Sequence, residues 1–292
     1  MAQTTKTQQP HGTRQTDDLI LVLAATGKTG RRVLDRLQAA GVNVRAASRN
    51  STVQFDWNNR ATWSAALNGV STVYVALPLT PVPVEDFVDQ ALAAGVRRFV
   101  ALSGRGADIW ENHGQEMVDL ERAVRGSGVD WSIVRASNFA QNFDEDVFRE
   151  SIMAGELALP VGGMSEPFVD VEDVVDVAVT MLTQDVWVGS TVEVTGPESL
   201  RWEDAVAEIA RASGRKIQFI DVSPEEFAIR LRAQGLPDAD AKALDAMFTE
   251  IRRGRLTEPT KGVQEVLGRE ARAFADYAAT AAAAGAWAEQ PS

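Results

Sequence analysis

The residues Ala24-Ala25-Thr26-Gly27-Lys28-Thr29-Gly30 follow an apolar run, Leu19-Ile20-Leu21-Val22-Leu23, and precede a helical pattern that begins at Arg31-Arg32-Val33-Leu34. Small residues in the turn let backbone approach a ligand. A helix opening straight after it points unpaired N–H groups and its positive dipole end at an anion. The chemistry this spacing suits is the holding of a pyrophosphate, with Ala25, Thr26, Gly27, Lys28, Thr29 and Gly30 around it. Ala24 stands where such loops commonly have a first glycine and adds one methyl group at a close approach.

A second signal is Ser48-Arg49-Asn50, at the end of a short strand pattern, Asn43 to Arg49. Folds that bind NAD place a carboxylate there to accept from the ribose 2′-OH. An arginine instead pairs with a 2′-phosphate through its planar fork, so Ser48 and Arg49 point to NADP. Lys28 either adds a second charge or faces water. Asp56 ends the pattern Val53-Gln54-Phe55-Asp56-Trp57, where a carboxylate can accept from an adenine amine or else close a turn. Leu77 and Pro78 follow the pattern Thr72 to Leu77, and their backbone can line the pyrophosphate or the nicotinamide ribose. Ser103 ends the run Arg98 to Ser103; its hydroxyl can bond a substrate oxygen or the ribose, or serve the turn before Gly104. Trp110 lies in the loop that follows, where an indole either stacks on a flat acceptor or simply packs.

These positions need strands that end at one edge. Apolar runs at 19–23, 43–49, 53–57, 72–77, 98–103 and 130–135 alternate with helical patterns at 61–67, 84–94 and 115–125. Such β-α-β alternation gives an α/β fold, a doubly wound parallel sheet covered on both faces. Helices are expected at 171–182, 202–212, 224–233, 238–253 and in the Ala-rich tail 270–286, with a strand near 190–196 returning to the sheet. The expected organisation is an arm at 1–18, an NADP-binding domain at 19–150 that includes the returning strand, and a smaller, mostly helical substrate domain at 151–292. The arm is polar and rich in Thr and Gln, and reads as disordered.

Bulk composition narrows the classes. The net charge of −12 lacks the basic face that nucleic acid needs. With no cysteine and two histidines, thiolate catalysis, disulfides and a His-rich metal site are excluded, and no metal is expected. No apolar run reaches membrane-spanning length, so the cytoplasm is the default location.

Taken together, Ala24 to Gly30, Ser48-Arg49, Phe55-Asp56-Trp57, Gly95 to Ser103 and Ser127 to Arg135 resemble the NmrA-like atypical short-chain dehydrogenases. Phe168-Val169-Asp170-Val171-Glu172-Asp173-Val174 and Val194-Thr195-Gly196-Pro197-Glu198 continue the likeness, which spans roughly Leu19 to Trp287. Within that group the chain is most similar to the festuclavine dehydrogenase (ergot alkaloid) branch and its bacterial relatives. The resemblance implies a Rossmann domain, NADP(H) as cofactor and a small C-terminal substrate domain. It also implies that Ser137 to Phe143 lies beside the nicotinamide, with Asn138 on the carboxamide and Phe139 and Phe143 walling the acceptor. A core role for Phe143 is the competing reading.

Typical short-chain dehydrogenases, as distinct from the atypical ones, protonate a carbonyl with the tyrosine of a Tyr-x-x-x-Lys pair. Tyr74 and Tyr277 are the only tyrosines and neither begins one. Alignment to that pattern puts His113 at the tyrosine position and Met117 at the lysine position. His113 is then either a general acid or a polar loop residue. The leading expectation is an NADPH-dependent reductase delivering hydride to a conjugated or cationic small organic acceptor, an iminium or quinone-like molecule, in secondary metabolism or detoxification. Such an acceptor needs little acid catalysis. One alternative is a non-catalytic NADP(H)-binding redox sensor that contacts a protein partner. Another is a cyclase or isomerase reusing the cleft. A homodimer is compatible with each.

Overall fold

The computed structural model describes residues 18–288 except 79, 111–113, 186, 234, 236 and 237. The expected arm, save Asp18, and His113 lie outside the described residues. The first half comprises β1 (Leu19–Leu23), α1 (Lys28–Ala39), β2 (Val44–Ser48), β3 (Val53–Gln54), α2 (Trp63–Leu67), β4 (Val70–Val75), α3 (Val84–Ala93), β5 (Arg98–Gly104), α4 (Gln115–Gly126) and β6 (Asp130–Ala136). The second half comprises α5 (Arg149–Ala154), β7 (Glu156–Leu159), β8 (Ser165–Glu166), α6 (Val171–Thr183), β9 (Ser190–Val194), β10 (Leu200–Arg201) and α7 (Trp202–Ser213). It ends with β11 (Gln218–Asp221), α8 (Pro224–Ala233), α9 (Asp238–Arg252), α10 (Gly262–Leu267) and α11 (Phe274–Ala283).

Seven strands form one sheet in the order β3-β2-β1-β4-β5-β6-β9, and each neighbouring pair is parallel. The order reverses between β1 and β4, which makes the crevice outside their carboxyl ends the natural ligand position. The doubly wound α/β class expected from the sequence is the one observed. Leu21 and Leu23 of β1 enter the core under α2, α3 and α4, while Ile20 and Val22 enter the core under α1 and α6. Burial on both faces explains why this strand reads as a continuous apolar run.

A third core holds Phe143, Phe168, Trp202, Phe248 and Phe274. Two short pairings sit at its margin, β7 with β11 and β8 with β10. Residues after 150 are thus shared between cores. Val171 to Leu182 of α6, Val192 and Val194 of β9, and Val263 of α10 pack with the central sheet. No helix among the described residues is long and apolar enough to cross a membrane.

One strand is shorter than the sequence suggests. β3 stops at Gln54, so Asp56 lies in a turn rather than at a strand end. Its side chain accepts from Asn58 N–H at 2.9 Å. Its carbonyl accepts from Asn59 N–H and from Trp63 Nε1 at 2.9 Å. Local turn bonds outcompete the ladder there.

Candidate active site

The glycine loop is built on a strained turn. Ala24 has φ +50°, a left-handed conformation that costs an alanine about 1–2 kcal/mol. The turn closes through Gly27 N–H to the Ala24 carbonyl at 2.8 Å, and Ala25 N–H donates to Ala47 of β2 at 3.3 Å. A Cβ on Gly30 would stand 2.1 Å from the Ala24 oxygen, so only glycine lets α1 press this closely. Gly27 is the N-cap and supplies no side-chain cap, and the first turn of α1 carries no acidic residue. Nothing in the first turn opposes a bound phosphate.

At the end of β2, Ser48 is buried, and its hydroxyl is shared between Ser51 Oγ at 2.7 Å and Asn50 N–H at 3.2 Å. Arg49 is exposed and pairs with no described residue. Lys28, by contrast, is committed. Its ammonium donates to Asn142 Oδ1 at 2.5 Å and Asp146 Oδ2 at 3.0 Å, and lies 5.7 Å from the Phe139 ring centre. Arg31 pairs with Glu145, so the first turn of α1 is strapped to the segment after β6. The donor set therefore fits a dinucleotide with a 2′-phosphate. The loop and the open helix end would hold the pyrophosphate, and Arg49 the phosphate. Leu77 is half-buried and Pro78 exposed beyond β4.

Ser103 is buried on the face that meets α4. Its hydroxyl donates to Glu121 Oε1 at 2.7 Å. Arg135 grips Glu121 with Nε at 2.8 Å and Nη2 at 2.8 Å, and reaches Asp108 at 2.8 Å. This ion cluster engages the hydroxyl expected to face a ligand. Arg135 in β6 and Glu121 in α4 were legible only as charges inside otherwise apolar patterns. Trp110 packs inward as well: a Cβ on Gly104 would meet its ring at 2.3 Å and Met117 Sδ at 2.8 Å. The thioether of Met117, the residue aligned with the lysine of typical short-chain dehydrogenases, thus stands over the tip of β5.

Phe143 is wholly buried, its ring 5.5 Å from Phe168 and 5.6 Å from Phe274. This corrects the expectation that it walls an acceptor, because its ring faces the C-terminal core. Phe139 remains half-buried beside Lys28. Asn138, also half-buried, donates its amide to Glu166 of β8. Burial pushes the Glu166 carboxyl up to about 7, against the lowering effect of the Asn138 hydrogen bond and of the Arg105 charge. Nothing in the sequence singled out Glu166. The one faint cue is Pro167, which biases the residue before it toward an extended backbone.

Sheet order and an open helix end at the switch point define a dinucleotide-binding α/β protein. The chain belongs to the NmrA-like family, whose model matches residues 16–280. It is 30% identical to the prestalk A differentiation protein A of Dictyostelium discoideum, over 89% of this chain and 91% of that one. It is 31% identical to the NAD(P)H azoreductase of Xenophilus azovorans, over 91% and 99%, and 29% identical to a festuclavine dehydrogenase of Aspergillus fumigatus, over 89% and 96%. In fold it is similar to an NADPH-dependent quinone oxidoreductase of Escherichia coli complexed with NADPH, with TM-score 0.77, 21% identity and coverage of 89% and 99%.

Proposed function

We propose that this protein is an NADP-dependent oxidoreductase that reduces a conjugated or cationic small organic acceptor without a tyrosine–lysine relay. The observation that carries the cofactor reading is Arg49, exposed and without a partner among the described residues at the end of β2, one strand from an open helix end. The oxidoreductase reading is supported by relatives named for azo reduction and for festuclavine chemistry. Met117 over Gly104 supports the missing relay, since a thioether carries no charge with which to lower a neighbour's pKa.

When bound, NADPH supplies the hydride. The protein contributes a cradle for the phosphates and a fixed orientation, with the Phe139 ring beside the loop. Titration by intrinsic fluorescence tests the cofactor, and tighter binding of NADPH than of NADH is expected. A panel of cyclic iminiums, azo dyes and quinones tests the chemistry. Tight NADPH binding with no oxidation above background would exclude the reductase and favour the sensor. That second reading has its own support in the relative named for cell differentiation.

A further inference from the structure

The carboxyl edge of the central sheet carries a buried acid that the reductase reading leaves unused. Glu166 is 8% exposed and stands on β8, opposite Leu200 of β10. The segment around it is clamped beside residues 137–140. Ser137 Oγ donates to the Pro167 carbonyl at 2.6 Å. Val169 N–H donates to the Asn138 carbonyl at 2.9 Å, and Ala140 N–H to the Val169 carbonyl at 2.8 Å. β6 and β9 end at the register pair Ala136 and Val194, so Asn138 lies two residues beyond the sheet, at the ligand edge. Oε2 of Glu166 accepts from the Asn138 amide. Oε1 has no hydrogen-bond partner among the described residues.

The charged surroundings are few. Arg105, at the tip of β5, faces Glu166, but its guanidinium is shared with Glu193 of β9 at 3.0 Å and with the Leu256 carbonyl at 2.7 Å. On β10, Arg201 sits opposite Ser165 and pairs with Glu203 at 3.0 Å. Asn138 is neutral. An acid in this setting keeps its proton near neutral pH, and the Asn138 amide steadies the carboxylate left when the proton departs.

We propose that Glu166 is the proton donor for neutral acceptors, acting from beside Asn138 at the carboxyl edge of β6. The proposal rests on the reductase reading. When a quinone-type acceptor gains hydride, an electron pair moves onto its oxygen. That oxygen takes the carboxyl proton as the O–H bond of Glu166 breaks, and water reprotonates the carboxylate. The sum is acceptor plus NADPH plus one proton, giving reduced acceptor and NADP+. A cationic iminium needs no such proton, because hydride alone makes it a neutral amine.

Two measurements test this. In nucleotide-free protein labelled with carboxyl-13C glutamate, the resonance lost in Glu166→Gln titrates with a midpoint near 7. The midpoint moves up in Asn138→Ala, which loses the bond that favours the charged form. A midpoint in the ordinary carboxylate range overturns the proposal and needs no turnover to read. With saturating NADPH, Glu166→Gln lowers the ratio of p-quinone to cyclic-iminium kcat by about 100-fold, and the fall in quinone kcat above pH 7 disappears. An unchanged ratio in an active variant overturns the donor and leaves the reductase standing. A wild-type protein that reduces neither acceptor overturns both.

Discussion

The carbonyl of Ala24 and the α-carbon of Gly30 are packed so tightly that a Cβ at position 30 would stand 2.1 Å from that oxygen. Helix, turn and strand meet at this contact, and backbone on one side cannot yield. Gly30→Ala is expected to weaken NADPH binding at least about tenfold and to cost about 1–3 kcal/mol of stability, read by fluorescence titration and urea unfolding. Ala24→Gly should do the reverse. It releases the strain of φ +50° and should raise stability by about 1 kcal/mol, net of the glycine's extra freedom in the unfolded chain.

Arg49 and Lys28 separate the two cationic candidates. Arg49→Ala is expected to raise the Kd for NADPH about 10- to 100-fold, the value of losing a charge-assisted hydrogen bond, while the Kd for NADH stays put. Stability should hold within about 0.5 kcal/mol, since Arg49 is exposed and has no described partner. Lys28→Met should leave the NADPH-to-NADH ratio unchanged, because its ammonium already serves Asn142 and Asp146.

Ser103 is expected to matter for folding rather than turnover. Ser103→Ala removes one hydrogen bond to the buried Glu121 carboxylate and should cost about 1–3 kcal/mol, with the NADPH Kd intact. Glu121→Ala removes both of its bonds to the buried Arg135, which keeps only Asp108, and should cost about 3 kcal/mol. A Ser103→Ala variant of full stability that loses turnover would place this hydroxyl at the ligand after all.

Glu166 also shapes stability against pH. Its folded pKa is raised by burial to about 7, so below the ordinary glutamate value the folded and unfolded chains both carry the proton. As pH climbs past that value the unfolded chain ionises first, and its stabilising share is lost up to about 7. The total is roughly 3 kcal/mol from the size of the shift. Chemical denaturation from pH 4.5 to 8 should show Glu166→Gln gaining on the wild type by that order, a difference that vanishes if the carboxyl titrates normally.

The fold was legible wherever burial is two-sided. Strand β1 is an unbroken run of Leu, Ile and Val, and β4 and β5 are apolar at most positions, because both faces are covered. The turn between β1 and α1 was legible because small residues spaced this closely mark a tight strand-to-helix turn. The acid at 166 was not, since its proton affinity comes from burial against residues far away in sequence. Asn138 lies 28 positions from it, and no local pattern records that meeting. Likewise β7 and β11 exist through each other, with four residues apiece and no period long enough to read.

The sheet borrows from the far end of the chain. One face of β4 and β6 is sealed by α6 and α10 together, so the cover over Tyr74 and Val134 is incomplete until Val263 has been made. At the usual pace of synthesis the stretch from β6 to α10 takes on the order of ten seconds. During that time a wide apolar surface leaves the ribosome without its lid. A fragment cut at residue 150 would hold every residue proposed above to contact the nucleotide and still be sticky, so that half depends on the other half for its solubility.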